Sequence, residues 1–278
     1  MLTTVYPRAA DACCYITVFL GDEKISEGTG FAFTETGEVL TAAHVVTGRW
    51  PIKKSDYNDP QQRIYCKFPN VPIIEYRVFF CCLEIQVSAF TETIQIDMAL
   101  LHPRAPHTDK IPYLPAQAVP PQLGEEVCMA GFSEELRLPF DVDRLLQGDF
   151  KGAKSFEQAM EKGYMADMTG PLFKRGVVGN IRRVSASNSN TSEHIDCDIF
   201  YVDNAMHSGA SGGPVFNYKG EAVGVVSQRA VTKVNPGSDT MLSIPSGSTV
   251  AVSLAPLLYV HRRHAAVYRA SGAPTAGH

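Results

Sequence analysis

A serine hydroxyl is a weak nucleophile until its backbone and neighbours are arranged around it. In this chain the stretch best suited to do so is Gly209-Ala210-Ser211-Gly212-Gly213-Pro214. Glycines on both sides allow a tight turn in which main-chain N–H groups converge on one point and stabilise a developing oxyanion. Ser211 is therefore the candidate nucleophile, and acyl transfer the implied chemistry. A candidate base lies upstream. Gly28-Thr29-Gly30-Phe31-Ala32-Phe33, a turn at Glu35-Thr36-Gly37-Glu38, and the run from Val39 to Val46 read as two short strands joined by a hairpin and ending on His44. Between these two segments, Ile94-Gln95-Ile96-Asp97-Met98-Ala99-Leu100-Leu101 sets one carboxylate in an otherwise apolar strand. That is a costly position unless a donor meets the charge, and the imidazole of His44 would be that donor.

Taken singly, each feature has a plainer explanation: a Ser-Gly-Gly-Pro turn, a histidine at a strand end, an aspartate partnering a buried donor. Their occurrence together, in the order His44, Asp97, Ser211 and at separations that suit two successive β-domains, points to a catalytic triad.

These residues resemble the chymotrypsin-like (trypsin-fold) serine peptidases, most closely the trypsin-like peptidase domain of the HtrA/Deg group. The His…Asp…Ser order separates that family from subtilisins and α/β-hydrolases. The resemblance also takes in Leu123-Gly124-Glu125-Glu126-Val127 with Ala130-Gly131-Phe132, Asp203 ahead of the serine, the strand Val223-Gly224-Val225-Val226-Ser227, and Ser243-Ile244-Pro245, over about residues 15–258. It implies an all-β fold of two antiparallel, six-stranded-type barrels, the first carrying His44 and Asp97 and the second Ser211. It also implies an oxyanion hole built from the N–H groups of Gly209 and Ser211. The substrate pocket would have Ala205 at its floor, Met206 and His207 along one wall, Ser227, Gln228 and Arg229 opposite, and Leu242 to Ile244 nearby. No acidic residue falls at that floor, so the expected P1 side chain is small or medium and apolar, not Lys or Arg. Ala210 stands where digestive relatives carry the aspartate that captures a newly cut amino terminus, so activation by that route is not expected.

The supporting elements divide the chain into an N-terminal segment (1–12), a first barrel (13–105), a proline-containing linker (106–122), a second barrel (123–260) and a tail (261–278) whose end has a disordered composition. After this tail, the PDZ module that HtrA proteins append is not expected. Within the first barrel, Trp50 to Pro69 reads as a surface loop and Ile73 to Val87 as a long β-rich run, while His102 has a structural or solvated setting. The main departure from the family pattern is an insertion at about 133–174. Asp143-Arg144-Leu145-Leu146 and the run from Ser155 to Lys162 have helical composition there, with Ser155 as N-cap and Gly163 as stop.

Composition narrows the function classes. The 278 residues are 45% hydrophobic and 19% charged, enough apolar material for a sizeable β-rich core. A formal net charge of −4 gives no electrostatic footprint for nucleic acid or an anionic membrane. No run reaches the ~18 apolar residues of a membrane span, and the amino terminus lacks the pattern of a signal peptide. The 7 cysteines cannot all pair, and the neighbours Cys13-Cys14 and Cys81-Cys82 suit reduced thiols, hence a cytoplasmic setting. Nothing has metal-ligand spacing, so neither metal nor cofactor is expected. The expected partner is a polypeptide substrate, and the oligomeric state is open. Three functions fit: a serine endopeptidase, a latent or non-catalytic binding module needing a partner to order the oxyanion hole, and an esterase using the same triad.

Overall fold

The computed structural model describes residues 2–86, 89, 91, 93–107, 110–133, 152–188, 193–234 and 242–260. Two closed antiparallel barrels of six strands each form the body. In the first, β1 (Cys13–Leu20), β2 (Glu23–Ala32), β3 (Val39–Thr41), β4 (Gln62–Lys67), β5 (Ile74–Ile85) and β6 (Ile94–Pro103) run in the spatial order β1-β2-β3-β6-β5-β4. The second uses β7 (Glu126–Gly131), β8 (Leu172–Asn188), β9 (Glu193–Val202), β10 (Pro214–Phe216), β11 (Ala222–Val234) and β12 (Leu242–Ser253) in the order β10-β11-β12-β9-β8-β7. Closure leaves no long unpaired edge around either barrel wall. The all-β, double-barrel expectation is met.

The environment of β6 explains how it can hold a carboxylate. Its middle six residues are buried, because the first barrel's core covers one side and the β8–β9 hairpin of the second barrel leans across the other. Leu83, Ile85 and Ile96 pack there with Val184, Ile195 and Val252. Asp97 therefore lies in the seam between the barrels, where an unpartnered charge would be prohibitively costly.

Helices decorate this body. The N-terminal segment, whose form the sequence left open, is α1 (Leu2–Ala12). Its Tyr6 ring stacks on Phe173 of β8 at 4.7 Å and meets Phe216 of β10 edge-on, so the first residues of the chain brace the second barrel. α2 (Ala43–Thr47) directly follows β3.

Within the expected insertion, the described residues are helical over α3 (Ala153–Ala159), a π-turn through Met160–Tyr164, and α4 (Met165–Thr169). Ser155 lies inside α3 and not at its cap. The chain enters the helix from Gly152, with no side-chain cap, so no side chain specified that end. Gly163 bends the path instead of ending it, because its φ of 124° breaks the helix for one residue before α4 resumes. Asp143 to Leu146 and the tail from 261 lie outside the described residues. The helices reach back to the first barrel: Lys67 of β4, 1% exposed, donates to Asp167 at 2.6 Å and to the Phe68 carbonyl at 2.7 Å, and Thr17 donates to the Lys162 carbonyl.

All seven cysteines are unpaired and buried. Among the described residues no helix is long and apolar enough to cross a membrane, and no cluster of three metal-binding side chains occurs.

Candidate active site

His44 sits on the first turn of α2, a position made rigid by its surroundings. β3 leads directly into the helix through Ala42, and the helix closes at once on Gly48, whose N–H bonds back to the His44 carbonyl at 2.8 Å. Asp97 faces it from β6 and is 7% exposed. Three donors meet its two oxygens. The His44 main-chain N–H donates to Oδ1 at 3.0 Å, the His44 ring Nδ1–H to Oδ2 at 2.8 Å, and the Ser227 hydroxyl also to Oδ2, at 2.5 Å. An ionised carboxylate only accepts, so it fixes the ring tautomer with the proton on Nδ1 and leaves Nε2 as a free acceptor.

Ser211 enters from the second barrel, in the turn before β10. Its hydroxyl donates to the Ser227 carbonyl at 3.1 Å and makes no hydrogen bond to His44. Its loop is held from both sides. Gly212 N–H bonds to the Val226 carbonyl at 2.7 Å, Val226 N–H to Gly213 at 2.8 Å, and Thr29 N–H of β2 to the Ser211 carbonyl at 2.9 Å. Gly212 is required by sterics: its φ is 86°, and a Cβ there would lie 2.0 Å from the Thr29 carbonyl oxygen. The N–H groups of Gly209 and Ser211, expected to form the oxyanion hole, have no acceptor among the described residues.

His44, Asp97 and Ser211 line one cleft of about 580 Å³ between the barrels. Met206, His207, Gly209, Ser227, Gln228 and Arg229 line it too, with Tyr201, Val226 and Val250 adding apolar wall. Ala205, expected at the floor, is not among the lining residues; its carbonyl accepts from Lys174 Nζ at 2.5 Å. Arg49 and Trp50 stand at the cleft as well, the former paired with Asp56 through its Nε at 2.7 Å. Ser227 carries more than the pocket role read from the sequence, because its hydroxyl anchors Asp97 while its carbonyl receives Ser211. A polar residue ending the apolar run Val223–Val226 was the available signal, of the same kind that had marked Asp97.

The family model for the trypsin-like peptidase domain matches residues 28–225, a span that includes His44, Asp97 and Ser211. The chain belongs to this trypsin-like peptidase family. Solved structures carry the same fold as this peptidase. The active form of the Rv3671c protease from M. tuberculosis aligns with a TM-score of 0.53 and 17% identity, over 92% of this chain and 81% of that one. The inactive form of Rv3671c protease aligns with a TM-score of 0.52 and 16% identity, over 93% and 91%. A search of curated protein sequences returns no match. The resemblance to trypsin-fold serine peptidases is therefore borne out, and with it the peptidase class of hydrolase.

Proposed function

We propose that this peptidase is a serine endopeptidase that cleaves polypeptides through an acyl-enzyme on Ser211, with His44 as general base and Asp97 as its anchor. The observation that carries the reading is the double hold of Asp97 on His44, through ring and main chain, which assigns the proton of the neutral ring to Nδ1 and leaves Nε2 as the acceptor on a residue that lines the cleft. In the reaction the Ser211 hydroxyl turns from the Ser227 carbonyl to Nε2. Its oxygen bonds to the peptide carbonyl carbon while its proton passes to Nε2, and Asp97 stabilises the imidazolium. The carbonyl oxygen, now an anion, takes the N–H groups of Gly209 and Ser211; loss of one such donor typically costs a factor of about 10² to 10³. Collapse breaks the C–N bond, the amine leaves with the proton from Nε2, and water repeats the sequence to free the acid.

Substrate preference follows from the wall. Met206, Tyr201, Val226 and Val250 are apolar or largely so, and the one carboxylate among the described lining residues, Asp97, is committed to His44. We infer a small or medium apolar P1 residue; a peptide library cut mainly after Lys or Arg would refute this. The seven unpaired, buried thiols suit the reducing cytoplasm as the site of action.

The second reading, a latent form that needs a partner to assemble the site, is raised by the Ser211 hydroxyl lying on the Ser227 carbonyl instead of on His44. Labelling with a fluorophosphonate, read by mass spectrometry, separates the two. An adduct on Ser211 that is absent from Ser211→Ala and His44→Ala is the expected result. Folded protein without adduct would mean a site that needs a partner to assemble.

A further inference from the structure

We propose that Thr29 is a positioning residue that sets the oxyanion loop: by holding the carbonyls of Gly209 and Ser211 it fixes the backbone on either side of the donors, so that the Gly209 and Ser211 N–H groups stay turned into the cleft. The proposal rests on the serine-peptidase reading above. Thr29 lies in β2 of the first barrel, fully buried, and every polar atom it has is used. Its hydroxyl donates to the Gly209 carbonyl at 2.8 Å, and its main-chain N–H donates to the Ser211 carbonyl at 2.9 Å. Its carbonyl accepts the Thr41 hydroxyl of β3 at 2.7 Å. One residue of the first barrel thus grips both carbonyls of the expected oxyanion pair in the second.

The direction of the hydroxyl is set by a third partner. Phe132 N–H, where the chain leaves β7 toward the inserted segment, donates to Thr29 Oγ1 at 2.9 Å. A hydroxyl that must accept there has its single proton left for Gly209. Thr29 and Phe132 are buried, so loss of the hydroxyl leaves the Phe132 N–H unsatisfied and removes the donor that holds the half-buried Gly209 carbonyl. Gly209, at φ 84°, has the conformational freedom to let its flanking peptides rotate when that grip is released. Rotation of the 208–209 peptide is what would remove the Gly209 N–H from the cleft.

Thr29→Val keeps the shape of the side chain and deletes the hydroxyl; Thr29→Ser keeps the hydroxyl. Two readouts are compared in variants confirmed as folded by thermal melting. Hydrogen–deuterium exchange of peptides covering 205–213 is expected to quicken roughly five- to tenfold in Thr29→Val and to stay near wild type in Thr29→Ser. Affinity for a peptide boronate, which forms a tetrahedral adduct with its oxygen in the hole, is expected to fall about tenfold to hundredfold in Thr29→Val, approaching the effect of losing a donor. Affinity for the same peptide as a plain amide is expected to stay unchanged, a split that general destabilisation would not produce. If Thr29→Val does not fold, Thr29→Cys, with a weaker donor, is expected to move both readouts in the same direction. Exchange and boronate affinity at wild-type values in the folded variant would overturn the proposal. A wild-type protein that takes no boronate would instead overturn the peptidase reading, while the exchange comparison still decides the role of Thr29.

Discussion

Replacing Asp97 by asparagine turns one carboxylate oxygen into an NH₂ group without changing the shape of the side chain, and the three donors around it decide which way the amide turns. With the amide oxygen at the Oδ2 position, the NH₂ would face the His44 main-chain N–H, now 3.0 Å from Oδ1, and two donors would oppose each other with no means of relief. With the oxygen at Oδ1, the NH₂ faces the His44 ring and the Ser227 hydroxyl. Both of those can accept: the hydroxyl by rotating, the ring by moving its proton from Nδ1 to Nε2. The second arrangement keeps all the contacts and is the one expected. Its consequence is a histidine whose Nε2 carries a proton and cannot take another from Ser211. Folding should suffer little, with loss of charge assistance costing about 1 kcal/mol, or about 2–4 °C in Tm for a chain of this size. Turnover should fall by about 10⁴, the scale known for this change in such triads, equivalent to about 5 kcal/mol of barrier. The assay is kcat/KM on a cleaved peptide together with the rate of fluorophosphonate labelling, and nitrogen NMR of the ring reports the tautomer. A folded Asp97→Asn variant within tenfold of wild type, or one with the proton still on Nδ1, would refute the reasoning.

Two other outcomes follow from the packing. Asp167→Ala leaves the buried Lys67 ammonium with the Phe68 carbonyl and the Tyr164 ring, the latter at 5.2 Å. Breaking a buried pair costs ~3–5 kcal/mol, and since Asp167 is partly exposed we expect about 2–3 kcal/mol by urea unfolding, mostly recovered when Lys67→Met is added. A loss under about 0.5 kcal/mol would mean the inserted helices contribute no clasp. Burial pushes the Cys82 and Cys197 thiols up to about 12, and those of Cys13, Cys14, Cys81 and Cys128 above their ordinary range. The native thiols therefore stay protonated where unfolded ones ionise, near ~8.5, so stability is fully present below that pH and is lost as pH rises toward about 12. Iodoacetamide at pH 8 should leave native protein unmodified and alkylate all seven cysteines in urea, and rapid alkylation of native protein would contradict the buried assignment.

The double barrel and the His44–Asp97 contact were legible because their signals are local in the chain. Alternating or apolar runs mark strands, and a carboxylate inside one demands a partner. What stayed hidden depends on approach between distant segments. Nothing local in the chain marks Lys67 and Asp167 as partners, since they meet only when a segment 100 residues away folds back onto β4. Ser155 has the chemistry of a cap, but the helix starts two residues earlier at Ala153, where no side chain was available to announce it. Thr29, between two glycines, offered no sign that its hydroxyl would be shared by the Ser211 loop and Phe132. Counting offsets put Ala205 at the pocket floor, but offsets do not say how deep a turn sits, and the carbonyl of that residue is taken by Lys174.

These contacts bear on whether the Ser211–Ser227 bond is a lock. Around the cleft, Asp97 accepts three hydrogen bonds, His44 is held by ring and main chain, and the Ser211 loop is tied to Thr29 in one barrel and Val226 in the other. The Ser211 hydroxyl is the exception, with a single bond to a carbonyl at 3.1 Å. Moving it to His44 Nε2 exchanges one neutral hydrogen bond for another, each worth about 1 kcal/mol net. Where rotation of the Ser211 side chain suffices for that exchange, it takes picoseconds to nanoseconds, far faster than a typical turnover. That bond is thus too weak and too quickly exchanged to keep the enzyme off. A latent form would need a displaced loop or barrel, and fast labelling of Ser211 in the isolated protein would rule that out.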